Sequence, residues 1–257
     1  MRFKSPLERG TLIRRYKRFL ADITLADGSE TTVHVPNPGA MLGLTEPGLP
    51  VWMSRSPDPK RKLPLTLEMV DLPGAGLVGV NTMNPNRIGE AAVTDGLIPE
   101  LADYPILRRE VRYDENSRID ILLQRSPSPS GAGGDGAAGD GWGGLRPDHP
   151  SAWVEIKNVH FSRAAGLAEF PDCKTERAVK HLKALERVVD EGGRAVMLFI
   201  VQRMDCAAFT TADDIDKIYG PALRQAASHG VEVLCYSCHL TPEAIRLDRA
   251  LPWRPNS

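Results

Sequence analysis

Three side chains in the middle of the chain have the types and spacing that a metal-dependent reaction on a phosphodiester requires. They are Asp120, in the segment Ser117–Leu123, and Glu155 with Lys157, in the segment Trp153–Asn158. Both segments are otherwise largely apolar, and burying two carboxylates and an ammonium is costly unless they pair or bind a cation. Mg²⁺ prefers a few carboxylate oxygens together with water and substrate phosphate. We therefore expect Asp120 and Glu155 to hold Mg²⁺ or Mn²⁺.

The spacing of Glu155 and Lys157 predicts how they lie relative to each other. Side chains two apart on a strand point to the same face of the sheet. If the intervening segment closes a hairpin, Asp120 lies beside both. Lys157 would then orient the attacking water or neutralise charge that develops on the phosphate. A buried ion pair that merely satisfies two strands gives the same tripeptide, so Glu-x-Lys alone does not indicate catalysis.

Charged residues on either side extend this candidate site. Glu110 precedes Asp120, and the resulting order Glu, Asp, Glu-x-Lys resembles the PD-(D/E)XK nuclease core. On the predicted helix Asp172–Val189, Arg177 and His181 are four residues apart and Lys174 is three before Arg177, so all three should share a face. We expect Arg177 and His181 to support a phosphate or the carboxylates. The alternative is a solvated polar face.

Basic residues are concentrated in the first eighteen positions, with aromatic residues between them. The densest part contains Arg14, Arg15, Lys17 and Arg18, and Phe19 follows directly. Such a surface can track phosphates and stack bases, as OB barrels do, whereas the alternative is an ordinary solvated strand. The net charge is −1, so nucleic-acid binding would have to come from this local cluster. No pattern suggests base reading, and we expect low sequence specificity.

The elements that must position these residues divide the sequence into two parts. Up to Asn81, short alternating apolar stretches separated by turns, including a hairpin turn at Asp27-Gly28, predict a small β-barrel. Beyond it, strands alternate with helices, which favours a mixed α/β domain. The predicted helices are Asn86–Val93, Asp172–Val189 and Asp216–Ser228, and the predicted strands are Arg108–Tyr113, Arg118–Leu123, Trp153–Val159, Ala195–Val201 and Val231–Tyr236.

A low-complexity tract separates the two segments that carry the candidate site. It is rich in Ser, Pro and Gly and has almost no apolar side chains to offset the entropy of ordering. We expect a disordered insertion at 126–150. The predicted domains are therefore a barrel over residues 1–83 and a second domain over residues 84–257.

Several motifs in succession make the chain resemble the sugar fermentation stimulation family of bacteria and archaea. They occur in the family's order over most of the chain, although Pro38 stands where the family usually has a small polar residue. The motifs are Pro36–Met41, Gly79–Thr82, Glu110 with Ser117–Asp120, Val154–Lys157, and Phe170–Asp172 with Thr175, Arg177 and Lys180–Leu182.

The resemblance implies an N-terminal OB-like β-barrel that binds nucleic acid, followed by a PD-(D/E)XK nuclease-like mixed-sheet α/β domain. It places Asp120, Glu155 and Lys157 at the nuclease positions, with Glu110 as a fourth. The expected partner is DNA, with RNA left open, and an oligomer is possible. A DNA-binding regulator of sugar metabolism, of the maltose type, with a vestigial nuclease fold is the alternative. The carboxylate–carboxylate–lysine set favours catalysis, since binding alone does not require it.

Other features bear on the compartment and on competing metal sites. The first residues lack the apolar stretch of a secretory signal and no run approaches a bilayer span, so we expect a cytoplasmic protein without membrane contact. In that compartment the four cysteines should be free thiols. Cys235–His239 matches the haem-attachment pattern C-x-x-C-H, and zinc held by Cys235, Cys238, His239 and Cys206 is a second possibility. We expect neither, because an export signal and a properly spaced second ligand pair are missing.

Overall fold

The computed structural model describes residues 1–114, 117–125 and 150–256. The predicted insertion at 126–150 lies, apart from its last residue, outside the described residues. The strands of the first part are β1 (Glu8–Tyr16), β2 (Leu20–Leu25), β3 (Glu30–His34), β4 (Pro50–Arg55), β5 (Leu65–Leu72) and β6 (Gly76–Gly79). The remaining elements are α1 (Asn84–Thr94), β7 (Ile106–Asp114), β8 (Ser117–Gln124), β9 (Ala152–Val159), β10 (Phe161–Ala164), β11 (Leu167–Phe170), α2 (Glu176–Asp190), β12 (Arg194–Val201), β13 (Ala208–Thr211), α3 (Tyr219–Ser228), β14 (Glu232–Leu240) and β15 (Ile245–Ala250).

The first six strands form a closed barrel. They lie in the order β3-β2-β1-β4-β5-β6, and a further pairing of β3 with β5 closes a ring of five strands. Every second side chain of these strands points into the barrel and fills its interior. Ala21 and Ile23 of β2 and Val51 and Met53 of β4 are accordingly fully buried. Gly28 joins β2 to β3 with a positive φ of 83°, a conformation that suits glycine. The predicted hairpin at Asp27-Gly28 is therefore confirmed.

A six-stranded mixed sheet forms the second part of the molecule. Its order is β15-β14-β12-β9-β8-β7, with β9, β12 and β14 parallel and the outer strands antiparallel to their neighbours. A small second sheet contains β10, β11 and β13. The predicted fold class, an OB-like barrel followed by a mixed α/β domain, is confirmed.

Helices cover the large sheet on both faces. On one face, Leu182 and Leu185 of α2 belong to the same buried cluster as Phe199 of β12 and Leu223 of α3. On the other face, Ile88 of α1 packs in a cluster with Ile156 of β9 and Ile200 of β12. Met69 of the barrel strand β5 belongs to this second cluster. The barrel therefore shares a hydrophobic core with the α1 side of the sheet.

Some element boundaries differ from the sequence expectation. The helix predicted from Asp172 begins at Glu176, because Thr175 caps its N-terminus by accepting a hydrogen bond from the Ala178 N–H. The prediction that Lys174 shares a helical face with Arg177 and His181 is therefore wrong, since Lys174 precedes the helix. The helix predicted from Asp216 begins at Tyr219. The strands β1, β10, β11, β13 and β15 were not predicted.

A buried carboxylate joins the barrel to the start of α1. Glu68 of β5 is 5 % exposed and accepts hydrogen bonds from Ser54 Oγ at 2.7 Å and from Asn81 Nδ2 and Asn84 Nδ2 at 2.9 Å each. Because both carboxylate oxygens have donors, this residue needs no cation. Its role is to fix the segment that leads from β6 into α1.

We predict that Glu68→Ala lowers the free energy of unfolding by about 2–4 kcal/mol, since it leaves three buried or half-buried donors without an acceptor. Urea unfolding followed by circular dichroism measures this difference. Glu46→Ala, at an exposed carboxylate of the same barrel, is the matched control and should stay within about 0.5 kcal/mol of the parent. Equal stability of the Glu68 variant and the control would contradict the structural role.

Cys235 and Cys238 do not lie together, as the metal and haem sites considered above would require. All four cysteines are free, and Cys235 and Cys238 belong to the buried clusters on opposite faces of the sheet, as a spacing of three on a strand requires. His239 is exposed. Among the described residues, no helix is long and apolar enough to cross a membrane.

Candidate metal-dependent active site

The candidate site lies where β8 and β9 separate. Their ladder ends at the Ile121–Val154 pair. One residue further along β8, Asp120 Oδ2 accepts the Ile156 N–H of β9 at 2.7 Å. A side-chain carboxylate thus takes the place that a backbone carbonyl of β8 would have in a continued ladder. Asp120 Oδ1 accepts a hydrogen bond from Asn86 Nδ2, also at 2.7 Å. These two donors hold the Asp120 carboxylate at the mouth of the gap between the strands.

Glu155 lies deeper and is only 2 % exposed. Its Oε1 accepts a hydrogen bond from Lys157 Nζ at 2.7 Å and is in contact with His181 Nδ1. Burial alone would raise the pKa of Glu155, but the His181 hydrogen bond and the Lys157 charge together lower it below its usual value. Glu155 is therefore ionised, as a metal ligand must be. The predicted placement of Glu155 and Lys157 on one face is confirmed.

His181 is fixed between Arg177 and Glu155. Arg177 Nε donates to His181 Nε2 at 3.3 Å, which makes Nε2 an acceptor and leaves the proton on Nδ1. Nδ1–H then donates to Glu155 Oε1, and Lys157 Nζ lies 3.2 Å from the same nitrogen. The predicted role of Arg177 and His181 as supports for a carboxylate thus has a geometric basis, because α2 contacts Glu155 through the His181 imidazole.

The second oxygen of Glu155 provides a test of whether the site suits a cation. Glu155 Oε2 is buried and has no hydrogen-bond partner among the described residues. A buried, unpartnered carboxylate oxygen costs free energy unless a cation or an ordered water occupies its free side. In the described residues no three His, Cys, Asp or Glu side chains are grouped as metal ligands. Two carboxylates completed by water and substrate oxygens would suit Mg²⁺ or Mn²⁺ better than zinc.

Repulsion between the two carboxylates supports the same conclusion. Burial raises the pKa of Asp120, and the negative charge of Glu155 raises it further, so that it reaches about 6 from its ordinary 3.8. The hydrogen bond from Ile156 and the charge of Lys157 offset only part of this effect. A divalent cation between the carboxylates would remove the repulsion.

We predict that the metal-free protein loses stability as the pH rises from about 4 to about 6, because Asp120 must then ionise at a cost in the folded state. The folded pKa lies above the unfolded one, so the folded state binds more protons in this window and its advantage is lost as the pH passes about 6. The difference between the folded and unfolded pKa values of Asp120 corresponds to about 3 kcal/mol in the free energy of unfolding. Stabilisation by Mg²⁺ should consequently be larger at pH about 8 than at pH about 5. Urea unfolding with and without Mg²⁺ measures it, and Asp120→Asn should lack the effect.

Two residues that the sequence did not single out complete the support of Asp120. Asn86 reaches Asp120 from the first turn of α1, and Gly89, one turn later, faces the sheet. A Cβ at Gly89 would lie 2.6 Å from Ile156 Cδ1, so a larger residue would require the Ile156 side chain or α1 to shift. The only sequence signal for the role of Asn86 is an asparagine at the start of a helix that follows a strand. This pattern is too common to indicate a site on its own.

Glu110 lies at the rim of the site. Its Oε1 is 3.5 Å from Asn86 Nδ2, and the residue is exposed. Its φ of 51° is unusual for a residue with a side chain, and such backbone strain is often found at functional sites. Glu110 and Asp120 thus both accept from the side chain of Asn86. Around these residues opens a cleft of about 900 Å³, also lined by Met83, Arg177 and Pro38.

A loop of the barrel closes one side of this cleft. Asp172, which follows β11, accepts the Met41 N–H at 2.9 Å and lies 3.3 Å from His160 Nε2. In the same loop, the buried Asn37 donates to Val80 O at 2.9 Å and accepts the Gly39 N–H at 2.8 Å. The Asn37 bonds fix the shape of the barrel loop 36–41, and the Met41–Asp172 bond holds it against the second domain.

We predict that Gly39→Ala lowers the free energy of unfolding by about 1–3 kcal/mol, because the added Cβ would lie 2.5 Å from Asp172 Oδ2. In the Asp172→Ala background the same substitution should cost less than about 1 kcal/mol, since the clashing atom is gone. A double-mutant cycle by urea unfolding measures the coupling. Additive effects of the two substitutions would show that the loop does not depend on this contact.

The predicted nucleic-acid-binding arginines have different environments. Arg14 is exposed and pairs with Asp22 at 2.8 Å. A β-bulge after Leu12 shifts the alternation of β1, so that Arg15 turns toward the barrel loop. Within the described part of the chain, the guanidinium of Arg15 bonds to backbone carbonyls alone. Lys17 and Arg18 form the turn after β1 and are exposed, with positive φ values of 49° and 62°.

Fold and site together define a two-domain protein in which an OB-like barrel is joined to a mixed α/β domain with a carboxylate–lysine site. Residues 13–80 match the family described as the SfsA N-terminal OB domain, and residues 83–244 match the sugar fermentation stimulation protein RE domain. The chain therefore belongs to the sugar fermentation stimulation protein family.

Individual relatives agree with this assignment over nearly the whole chain. The sugar fermentation stimulation protein homolog of Rhodospirillum centenum is 53 % identical over 251 residues, which cover 98 % of each chain. The homolog of Caulobacter vibrioides is 46 % identical over 253 residues, which cover 98 % of this chain and 97 % of the relative. Among solved structures, Pyrococcus furiosus SfsA in complex with Ca²⁺ is similar with a TM-score of 0.81 and 23 % identity, covering 99 % of this chain and 98 % of that one. This last similarity shows the fold.

Proposed function

We propose that this protein is a nuclease that requires a divalent cation, Mg²⁺ or Mn²⁺, and cleaves DNA with low sequence specificity, RNA being the alternative substrate. One observation carries the proposal. Asp120 and Glu155 lie together at the base of an open cleft with an unpartnered Glu155 oxygen, and the Lys157 ammonium lies 2.7 Å from Glu155. An ion pair that only stabilised the sheet would need neither the second carboxylate nor the cleft.

The residues of the site have separable roles in this reaction. When bound, Mg²⁺ supplies a Lewis acid and lowers the pKa of a coordinated water. Asp120 and Glu155 would hold the cation, and the hydrogen bonds from Asn86, Ile156 and His181 orient these carboxylates. Lys157 would position the attacking water and neutralise charge that develops on the phosphate.

Two further observations support the choice of cation and substrate. The related protein from Pyrococcus furiosus was solved as a complex with Ca²⁺, a hard cation that takes oxygen ligands as Mg²⁺ does. The exposed turn residues Lys17, Arg18 and Phe19 present two positive charges beside an aromatic ring that is 45 % exposed. Such a combination suits nucleic acid, where phosphates and bases alternate.

The decisive experiment is cleavage of a panel of single- and double-stranded DNA and RNA with Mg²⁺ or Mn²⁺, beside the same panel in EDTA. We expect cleavage that depends on the divalent cation. If the protein binds the panel but cuts nothing with either metal, the alternative hypothesis is favoured. The protein would then be a DNA-binding regulator, for which the exposed basic turn of the barrel suffices. Absence of both binding and cleavage would reject both the nuclease hypothesis and the regulator hypothesis.

A further inference from the structure

The cleft around Asp120 and Glu155 is called the metal cleft from here on. Beside it lies a second, smaller cavity with basic walls, which we call the basic pocket. Its volume is about 660 Å³, and it is bordered by the turn after β1, the barrel loop and the segment before α2. Its charged lining residues are Arg14, Arg15, Arg18 and Lys174. Among the described residues that line it, none is acidic. Pro38 lines both the basic pocket and the metal cleft, so the two cavities adjoin at this residue.

Arg15 places a positive charge in the wall of the basic pocket without a directly bonded carboxylate among the described residues. Its guanidinium donates to the carbonyl oxygens of four residues at 2.8–3.1 Å, and no carboxylate bonds to it among the described residues: the four are Arg18, Asn37, Gly39 and Ala40. Burial lowers the pKa of Arg15, and the charge of nearby Asp172 offsets only part of this effect. A bound anion would therefore further stabilise the half-buried guanidinium. Arg14 differs, because its charge is already paired with Asp22.

Arg18 and Lys174 stand at the rim with their charges available. Both are exposed, and neither has an ion pair among the described residues. Arg18 is held in the left-handed region at φ 62° by a turn that its own carbonyl, bonded to Arg15, helps to fix. A non-glycine residue in this conformation is strained, and such strain is often retained where the side chain is needed in one direction.

We propose that the basic pocket binds a second phosphate of the substrate, one that lies beyond the scissile phosphate on the same strand. The strand would run from Asp120 and Glu155 past Pro38 to Arg15, Arg18 and Lys174. This inference deepens the proposed function: the substrate is a polynucleotide long enough to reach both cavities, rather than a small phosphodiester. The phosphate is either internal to the strand or a terminal monoester, and both present the same anionic oxygens.

Binding measured without cleavage tests the pocket independently of catalysis. The probe is a fluorescein-labelled oligodeoxythymidylate, with or without a terminal phosphate, titrated in Ca²⁺ over a range of salt concentrations by fluorescence anisotropy. The test variant is Arg18→Ala with Lys174→Ala. Arg15 is left intact because it holds the barrel loop. The matched control is Lys60→Ala with Lys62→Ala, which removes the same charge from exposed positions outside the pocket.

The test variant should bind roughly tenfold more weakly at low salt, and its slope of log affinity against log salt should fall by about 1.4, or ~0.7 for each lost contact with a single strand. The control should stay within twofold. A gain in affinity from the terminal phosphate that disappears in the test variant identifies a monoester, whereas equal binding of both probes identifies an internal phosphate. An unchanged salt slope, or an equal loss in the control, overturns the proposal.

Cleavage separates this proposal from the nuclease proposal. Hydrolysis of bis(p-nitrophenyl) phosphate, which is too small to reach the basic pocket, should be the same in the test variant and the parent, while cleavage of the oligonucleotide falls. Equal loss with both substrates would mean that the variant has damaged the metal cleft, and the proposal would fail. If the parent hydrolyses neither substrate, the nuclease proposal fails, and the anisotropy result still decides the pocket.

Discussion

Lys157→Ala should abolish divalent-dependent cleavage while leaving nucleic-acid affinity within a few-fold of the parent. The ammonium lies at Glu155 in the cleft, and it would act on the water and on charge that appears only in the transition state. Removing such a group typically costs roughly a hundred- to a thousandfold in kcat, or about 3–4 kcal/mol. Under the proposed function, ground-state binding would rest on the basic surface of the barrel and should be spared. Single-turnover cleavage and anisotropy on the same oligonucleotide measure the two quantities.

The fold of this variant must be verified, because Lys157 also neutralises a buried carboxylate. Removing one partner of a buried pair can destabilise a domain by about 3–5 kcal/mol. Circular dichroism and urea unfolding establish how much of the protein is folded under the assay conditions. Lys180→Ala, which removes an exposed lysine of the same charge from α2, is the matched control and should cut like the parent. A folded Lys157→Ala protein that cuts normally would remove Lys157 from the mechanism.

The sequence predicted those elements whose pattern is local. Alternation in β2 and the Asp27-Gly28 turn identified a hairpin because both signals lie within a few residues. β1 was missed, since only Gly10 and Leu12 of it are fully buried and its many basic residues resemble a solvated tail. The strands β10, β11 and β13 have four residues each, too few for a period to be recognised, and β11 pairs with β13 across α2 and β12.

The same distinction explains how much of the site could be predicted. Glu155 and Lys157 were placed together by the two-residue period of a strand, and Asp120 by the pairing of β8 with β9. Asn86 and Asp172 were missed because their contacts depend on how close α1 and the barrel loop approach the sheet. That approach is set by small residues such as Gly89 and Gly39, whose importance appears only in three dimensions.

Asp120→Asn and Glu155→Gln should weaken binding of Mg²⁺ or Mn²⁺ roughly ten- to a hundredfold each, because each removes one of the two negative charges that would hold the cation. Cleavage should vanish in both. In EDTA, nucleic-acid affinity should be equal to or tighter than that of the parent, since a negative charge that repels the phosphates is gone. Isothermal titration calorimetry with Mn²⁺ and anisotropy in EDTA measure the two effects.

Glu110→Gln is the matched control for the metal-affinity test. It shows whether the position of the lost carboxylate matters or only the loss of a negative charge. It removes the same charge from the same cleft, but Glu110 is exposed at the rim and its carboxylate is 3.5 Å from Asn86 Nδ2, whereas Asp120 and Glu155 are bonded in place. A cation held by the inner pair should therefore lose less affinity in Glu110→Gln than in either inner variant. If all three substitutions weaken the metal equally, the cleft attracts cations only through its overall charge. If none does, Asp120, Glu155 and Lys157 form an ion-pair cluster that stabilises the sheet, and the catalytic proposal fails with it.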